Sequence, residues 1–377
     1  MIERIDIIVP EAELKKNNEK IERINKAQNF EHVDRTPVTS NCSQWACLYG
    51  RGVTVSEYIK SPFDNMREQI LNYKWRVENI ICDEPYITDN LMIRPDFGAL
   101  RGTEFPMEII WPNNQPPKTI HMLKEPEDID ALPFPDPCGG INGTYSKWYM
   151  EMKERADNFD VRINGERIEI KATIFQGGGP IPGAFALAGS NLFLWMYTDP
   201  DRVHKLMDIV TKSHINCIKY FDNLTGRDPV HPQGLGADAS EMISPDMFRE
   251  FAAPYYKKIW ECYPGNRGIH CCGKINHLLD ILKDELQINS LDGFGFPADR
   301  YLLAEKYGGA IFMSGGPNPV LLLYGNPDEI IDEAVSYIKT VGRNGGYIMQ
   351  PGGNFAPGTR PEIFKYLLEA SERAVLA

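Results

Sequence analysis

Residues 268–291, Gly268-Ile-His-Cys-Cys-Gly-Lys-Ile-Asn-His-Leu-Leu-Asp-Ile-Leu-Lys-Asp-Glu-Leu-Gln-Ile-Asn-Ser-Leu291, read as a strand (Gly268 to Cys272), a helix (Ile275 to Leu286) and a second strand (Ile288 to Leu291). The same alternation extends in both directions. Upstream lie a helix from Pro200 to Phe221, a strand near His231 to Ala237 and a helix from Pro245 to Cys262. Downstream come a helix near Arg300 to Tyr307, a strand Ala310 to Ser314, a helix Pro327 to Val341, a strand Gly346 to Gln350 and a final helix Pro361 to Val375. Strands separated by helices must run parallel, and this many units favour closure into a (β/α)8 TIM barrel of α/β class over an open sheet.

Further out the pattern is looser. Arg167 to Ile174 reads as a strand, followed by the Gly177-Gly178-Gly179-Pro180 loop and an apolar helix from Ala184 to Met196. Near the start, Ile21, Ile24 and Ala27 suit a helix over 17–30, and a first barrel-like strand begins at Val38 and Thr39. Prolines crowd the stretch 85–137, which reads as an irregular insertion with short strands. No internal repeat or linker divides the chain, so the expectation is a single domain over 1–377, with an N-terminal helical extension at 1–33.

The composition bounds the function. With 377 residues and 42% hydrophobic content the chain can bury a large core. A net charge of −12 argues against a nucleic-acid surface, which draws on a surplus of Lys and Arg. Met1-Ile-Glu-Arg-Ile-Asp leads into no long apolar run, so neither a secretory signal nor a membrane span is expected, and the address is cytoplasmic. Eight cysteines without a leader are then reduced thiols rather than a disulfide framework.

In such a barrel the chemistry sits at the C-terminal ends of the strands. Polar residues gather there: Asp238 and Glu241 after one strand, His270 and Cys272 at the next, then Asp292, Ser314-Gly-Gly316 and Gln350-Pro-Gly-Gly-Asn354. An extended segment puts alternate side chains on one face, which aims His270 and Cys272 together and turns Cys271 away. Imidazole and thiolate are ordinary zinc ligands, though an isolated His-x-Cys more often describes a packed ring beside a buried thiol. Ser244 with Pro245 is the better helix N-cap, which frees Asp238 and Glu241 for another role. The glycines at 177–179 lack a lysine partner and the G-x-G-x-x-G spacing, and so read as a tight turn. His277 reads as a helix-surface residue and His231 as a core one.

Several segments together resemble the uroporphyrinogen decarboxylase superfamily, which includes cobalamin-dependent methyltransferases. They are Arg23-Ile-Asn-Lys-Ala, Asp34-Arg-Thr-Pro-Val, Gly179-Pro-Ile-Pro-Gly-Ala-Phe, Asp199-Pro-Asp-Arg-Val, Ile243-Ser-Pro-Asp-Met-Phe-Arg-Glu-Phe with Pro254-Tyr, and His270-Cys-Cys-Gly. The resemblance runs from about Glu22 to the end and implies the same barrel. The decarboxylase itself is cofactor-free, and its Arg-Gln-Ala-Gly-Arg-Tyr signature binds substrate carboxylates. The corresponding Ser43-Gln-Trp-Ala-Cys-Leu-Tyr49 holds no arginine, which disfavours that activity.

The methyltransferase branch is similar in His270-x-Cys272-Gly273. Its thiol-activating members add a second, late cysteine to the zinc site, where this chain has Gly353 in Pro351-Gly-Gly-Asn. A carboxylate is the natural replacement, Glu241 first and Asp238 second. The resemblance therefore implies Zn2+ held by His270, Cys272 and Glu241, with Glu241 and Asp238 as catalytic carboxylates. It points to the substrate-specific methyltransferase component of corrinoid-dependent O-demethylases. These move a methyl group from a small methoxylated, often aromatic, substrate to the cobalt of a separate corrinoid protein. The chain holds no Asp-x-His-x-x-Gly cobalt-loop motif, so the corrinoid (cobalamin) is expected on a partner. Trp45, Tyr49, Trp111, Phe294, Phe296 and Phe355 are candidates for an aryl pocket, though for any one of them ordinary core packing is the more common role. The competing readings are a methylcobamide:thiol methyltransferase, which a thiolate from Cys262 or Cys271 would favour, and a metal-free decarboxylase-like enzyme or ligand-binding barrel. Oligomeric state, a homodimer among the options, is left open.

Overall fold

A computed structural model describes residues 2–85, 90–98, 100–112, 115–229 and 231–376. The insertion positions 86–89, 99, 113 and 114 lie outside the described residues. The chain divides into two compact units, each built from separated segments: Met1–Arg94, Glu151–Ala172 and Leu291–Ala377 form one, Pro95–Met150 and Thr173–Ser290 the other.

In the first unit the extension begins with a strand, Glu3–Ile7, ahead of the helices Glu11–Lys15 and Asn17–Gln28. That strand pairs in parallel with Phe159–Ile163. Asn164 and Gly165, both at positive φ (47° and 92°), turn the chain back so that Glu166–Ala172 pairs antiparallel with Phe159–Ile163. Asn90–Ile93 completes this mixed sheet on the far side of Glu166–Ala172. The segment read as a strand at 167–174 is thus one arm of a hairpin. Residues 43–79 fold as helices with clear end signals: Ser43 caps Gln44–Arg51, Thr54 and Glu57 form a capping box on Val55–Tyr58, and Ser61-Pro62 opens Pro62–Asn79.

The same unit carries the parallel pair Phe312–Gly315 and Tyr347–Met349. Val38 joins it by a single parallel bridge to Met349, with Thr39 N–H donating to the Met349 carbonyl at 2.9 Å. The segment is held there by a buried ion cluster. Asp83, 1% exposed, accepts from Arg35 at 2.7 and 2.8 Å, from Arg23 at 2.9 Å and from the Val38 N–H at 2.8 Å. Arg23 also forks onto Asp34 with two contacts of 2.7 Å.

In the second unit, Gly234–Gly236 and Gly268–His270 run parallel, with Gly236 opposite His270. The helix Pro200–Thr225, stopped by left-handed Gly226, packs beside Pro180–Ala188. Two expected helices are each broken in two. Gly189 at φ 60° separates Pro180–Ala188 from Asn191–Thr198, and Pro254 in the first turn of Ala253–Cys262 separates it from Pro245–Phe251. The 275–286 segment is helical with a tight first turn at Asn276–Leu278 and a widened one at Ile281–Glu285. The insertion contributes a small hairpin, Ile109–Ile110 with Lys118–Thr119.

Candidate metal centre

The strand Gly234–Gly236 is pinned from behind by buried aromatics of the helix Ala253–Cys262. Tyr256 donates its hydroxyl hydrogen to the Gly236 carbonyl at 2.7 Å, and the Trp260 indole N–H donates to the Gln233 carbonyl at 2.9 Å. Burial lifts the Tyr256 hydroxyl pKa well above its usual range, so it stays a donor. Beyond the strand, Ala237 N–H donates to the His270 carbonyl at 2.8 Å. The backbone then enters an unusual turn, with Ala239 left-handed at φ 72°. A non-glycine residue held there stores about 1–3 kcal/mol of strain, and it aims Asp238 across to the neighbouring strand end.

Asp238 thereby meets Cys272: its Oδ1 lies 3.4 Å from the Cys272 backbone N and 3.6 Å from Sγ. Asp238, His270 and Cys272 each offer a ligand atom, and these atoms lie within 4.8 Å of one another. Two ligands bonded to zinc at about 2.3 Å (S) and 2.0 Å (O) at the tetrahedral angle stand roughly 3.5 Å apart, close to the Asp238–Cys272 spacing. Asp238 and His270 are partly buried and Cys272 is exposed.

Glu241 stands beside this group. A methyl placed on Gly273 would lie 2.6 Å from the Glu241 Cδ and 2.7 Å from Oε2. Gly273 is not left-handed, so its contribution is the space it leaves for this carboxylate rather than a sharp turn. Glu241 Oε2 is buried and has no hydrogen-bond partner among the described residues. A buried carboxylate oxygen without a donor is costly unless a cation or proton supplies one. The nitrogen, sulfur and oxygen donors with this orphaned oxygen fit a borderline-soft divalent ion such as zinc.

Neither further thiol enters the group. Cys271 is fully buried, its Sγ 3.6 Å from the Ala237 carbonyl, and burial pushes its pKa up to about 12, which keeps it protonated. Cys262 is exposed at the end of its helix. Gly353 has φ 85°, donates its N–H to the Gly293 carbonyl at 3.0 Å and accepts from Asn41 at 2.5 Å. Its backbone conformation favours glycine over any side chain-bearing residue. Gln350 lies 3.3 Å from the Thr39 hydroxyl and 3.5 Å from Asp292.

The other singled-out residues lie in varied surroundings. His231 sits 2.9 Å from Asp222, and His277 contacts the Ile243 carbonyl at 2.9 Å. Phe294 and Phe355 are core residues, while Tyr49 and Phe296 are mostly exposed. Trp45 packs edge-on against Tyr58 and Trp111 against Phe97. Among the described residues no helix is long and apolar enough to cross a membrane.

Comparison with known proteins agrees with this architecture. A methyltransferase from Methanosarcina mazei superposes with a TM-score of 0.64 over 93% of this chain and 97% of its own, at 19% identity, and so shares its fold. Uroporphyrinogen decarboxylases are sequence relatives. The one from Chlorobaculum parvum is 25% identical over 258 residues, covering 66% of this chain and 69% of that protein. The one from Xanthomonas euvesicatoria is 22% identical over 377 residues, covering 93% and 98%. A match to the uroporphyrinogen decarboxylase (URO-D) family, whose fold is the TIM barrel, spans residues 19–374, and the chain belongs to that family.

Proposed function

We propose that this protein is a zinc-dependent methyltransferase that takes a methyl group from a methoxylated, aromatic substrate and delivers it to the cobalt of a separate corrinoid protein. The observation that carries this reading is the mixed donor group Asp238, His270 and Cys272, with Glu241 beside it, following adjacent parallel strands. Asp238, His270 and Cys272 would hold the ion, and Glu241 is the further carboxylate within reach of the Cys272-Gly273 turn. Bound there, zinc supplies a Lewis acid for an ether oxygen.

The chain's own residues orient the substrate and exclude competing ligands. A single thiolate leaves the site harder than a two-cysteine site, which suits an oxygen ligand better than a thiol acceptor. The partly buried Asp238 and Glu241 are placed to manage the proton that the departing oxygen takes up after methyl loss. The reduced cobalt of the corrinoid partner would supply the electron pair for the new bond to the methyl carbon and the leaving oxygen would keep that of the C–O bond, so no side-chain nucleophile is needed. The fold shared with the Methanosarcina mazei methyltransferase supports the reaction class.

The test is metal content by mass spectrometry on wild type, Cys272→Ala and Glu241→Gln, followed by methyl transfer from methoxyarenes to cob(I)alamin. About one zinc per chain in wild type, lost in Cys272→Ala, together with transfer, meets the expectation. The names of the sequence relatives favour a second reading, metal-free decarboxylation. It predicts decarboxylation of uroporphyrinogen that survives chelation.

A further inference from the structure

Resting on that reading, we infer that the methyl donor is an anionic aromatic ether, and that Arg101 is the residue that binds its carboxylate. Arg101 is partly buried in a chain of net charge −12, where Arg23, Arg35, Arg51, Arg202 and Arg300 all sit on carboxylates. Among the described residues Arg101 has no ion-pair partner, and its hydrogen bond is to the neighbouring Leu100 carbonyl at 3.1 Å. A partly buried guanidinium without a carboxylate partner is a site for an anion.

Its position ties it to the metal centre. The Arg101 stem lies over Gly178: a methyl on Gly178 would be 3.0 Å from its Cδ and 3.5 Å from Nε. Gly178 is at φ 111°, so no other residue takes its place without strain. The Gly178 carbonyl accepts from the Gly236 N–H at 2.8 Å, and Gly236 is the register partner of His270. Two backbone spacings of about 4.8 Å therefore separate Gly178 from His270, roughly 10 Å. An aryl ring with an ether at one end and a short acid arm at the other suits that span. Phe175, 46% exposed, adjoins the same loop with its ring 3.8 Å from a methyl built on Gly177, and offers such a ring an aromatic face. The same cation acts on buried His214, which is held neutral by burial and then by Arg101.

The experiment is calorimetric titration of the purified, metal-containing protein with 4-methoxybenzoate and with its uncharged isostere 4-methoxybenzamide. It is run on wild type, Arg101→Gln and Arg101→Lys. Wild type should prefer the benzoate. Arg101→Gln should weaken benzoate binding about 30-fold, as for a lost charge-assisted hydrogen bond, and leave the benzamide unchanged. Arg101→Lys, which keeps the stem and the charge, should fall between, and it carries the test should the glutamine variant not fold. Absence of benzoate binding, equal affinity for the two probes in wild type, or unchanged benzoate binding in both variants would overturn the assignment. Methyl transfer from 4-methoxybenzamide that ignores Arg101 would leave the proposed reaction standing while removing this inference. Arginine-dependent benzoate binding without methyl transfer would do the reverse.

Discussion

Replacing Gly273 with alanine isolates the link between the His270–Gly273 turn and Glu241. The added methyl would lie 2.6 Å from Glu241 Cδ, 2.7 Å from Oε2 and 3.0 Å from Cγ. Non-bonded carbon contacts settle near 3.5–4.0 Å, so the carboxylate must retreat by about 1 Å. The backbone itself accepts alanine, since Gly273 is not left-handed. The obstructing group is the end of a flexible side chain, which places the stability cost at the low end of the roughly 1–3 kcal/mol typical of overpacking.

Metal binding should respond more than stability. Displacing a carboxylate that supports a metal site costs about 10–100-fold in affinity, or roughly 1.4–2.7 kcal/mol. The assay is zinc competition against a chromophoric chelator, with thermal unfolding as the control for folding. In a Glu241→Ala background the same glycine substitution should change zinc affinity little, because the group it pushes is gone. Undiminished zinc affinity in Gly273→Ala, or an equal loss with and without Glu241, would refute the coupling.

Cys272→Ala should lose zinc while Cys271→Ala retains it, because the Cys271 thiol is buried against the Ala237 carbonyl; elemental analysis of both proteins reads this directly. His214 is 4% exposed, and burial followed by Arg101 pushes its pKa down to about 4 from 6.5. Because the folded-state pKa is depressed, the neutral ring's contribution is present above pH 6.5 and is lost as pH falls toward 4. The total is about 3 kcal/mol. Urea unfolding across that window should show the loss in wild type and its absence in His214→Asn. Asp83→Ala should cost about 3–5 kcal/mol in the same assay at neutral pH, since it strands Arg35 and part of Arg23 in a buried site.

The parallel strands and most helices after residue 200 were legible because strong apolar runs between turn residues leave few alternatives. Failures elsewhere trace to local chemistry. The hairpin at 159–172 carried its signal in Asn164-Gly165 between alternating residues, but an adjacent glycine-rich loop made 167–174 look like the start of a strand–helix unit. The helices at 44–79 were announced by Ser43, Thr54-x-x-Glu57 and Ser61-Pro62, end signals stronger than the weak apolar periodicity between them. At the site, the strand expected to run to Cys272 ends at His270, and Cys272 just beyond it still offers a ligand atom within 4.8 Å of that of His270. That Asp238 rather than Glu241 comes within 4.8 Å of both was beyond any pattern, because it turns on an alanine in a left-handed conformation at 239. Sequence statistics assign that conformation to glycine or asparagine.

The segments that mark the family serve the scaffold more than the chemistry. Asp34 and Arg35 belong to the ion cluster around Asp83 that fixes Val38. Gly179 is required because any side chain there would collide with the Gly236 carbonyl, and Gly183 because a methyl would come within 2.6 Å of Val210. Asp199 and Ser244 cap the helices that follow them. These residues shape the scaffold and are distinct from Asp238, Glu241, His270 and Cys272. In this chain the proposed chemistry rests on Asp238, Glu241, His270 and Cys272, and the strain at Ala239 is the local cost of bringing the first of them into the group.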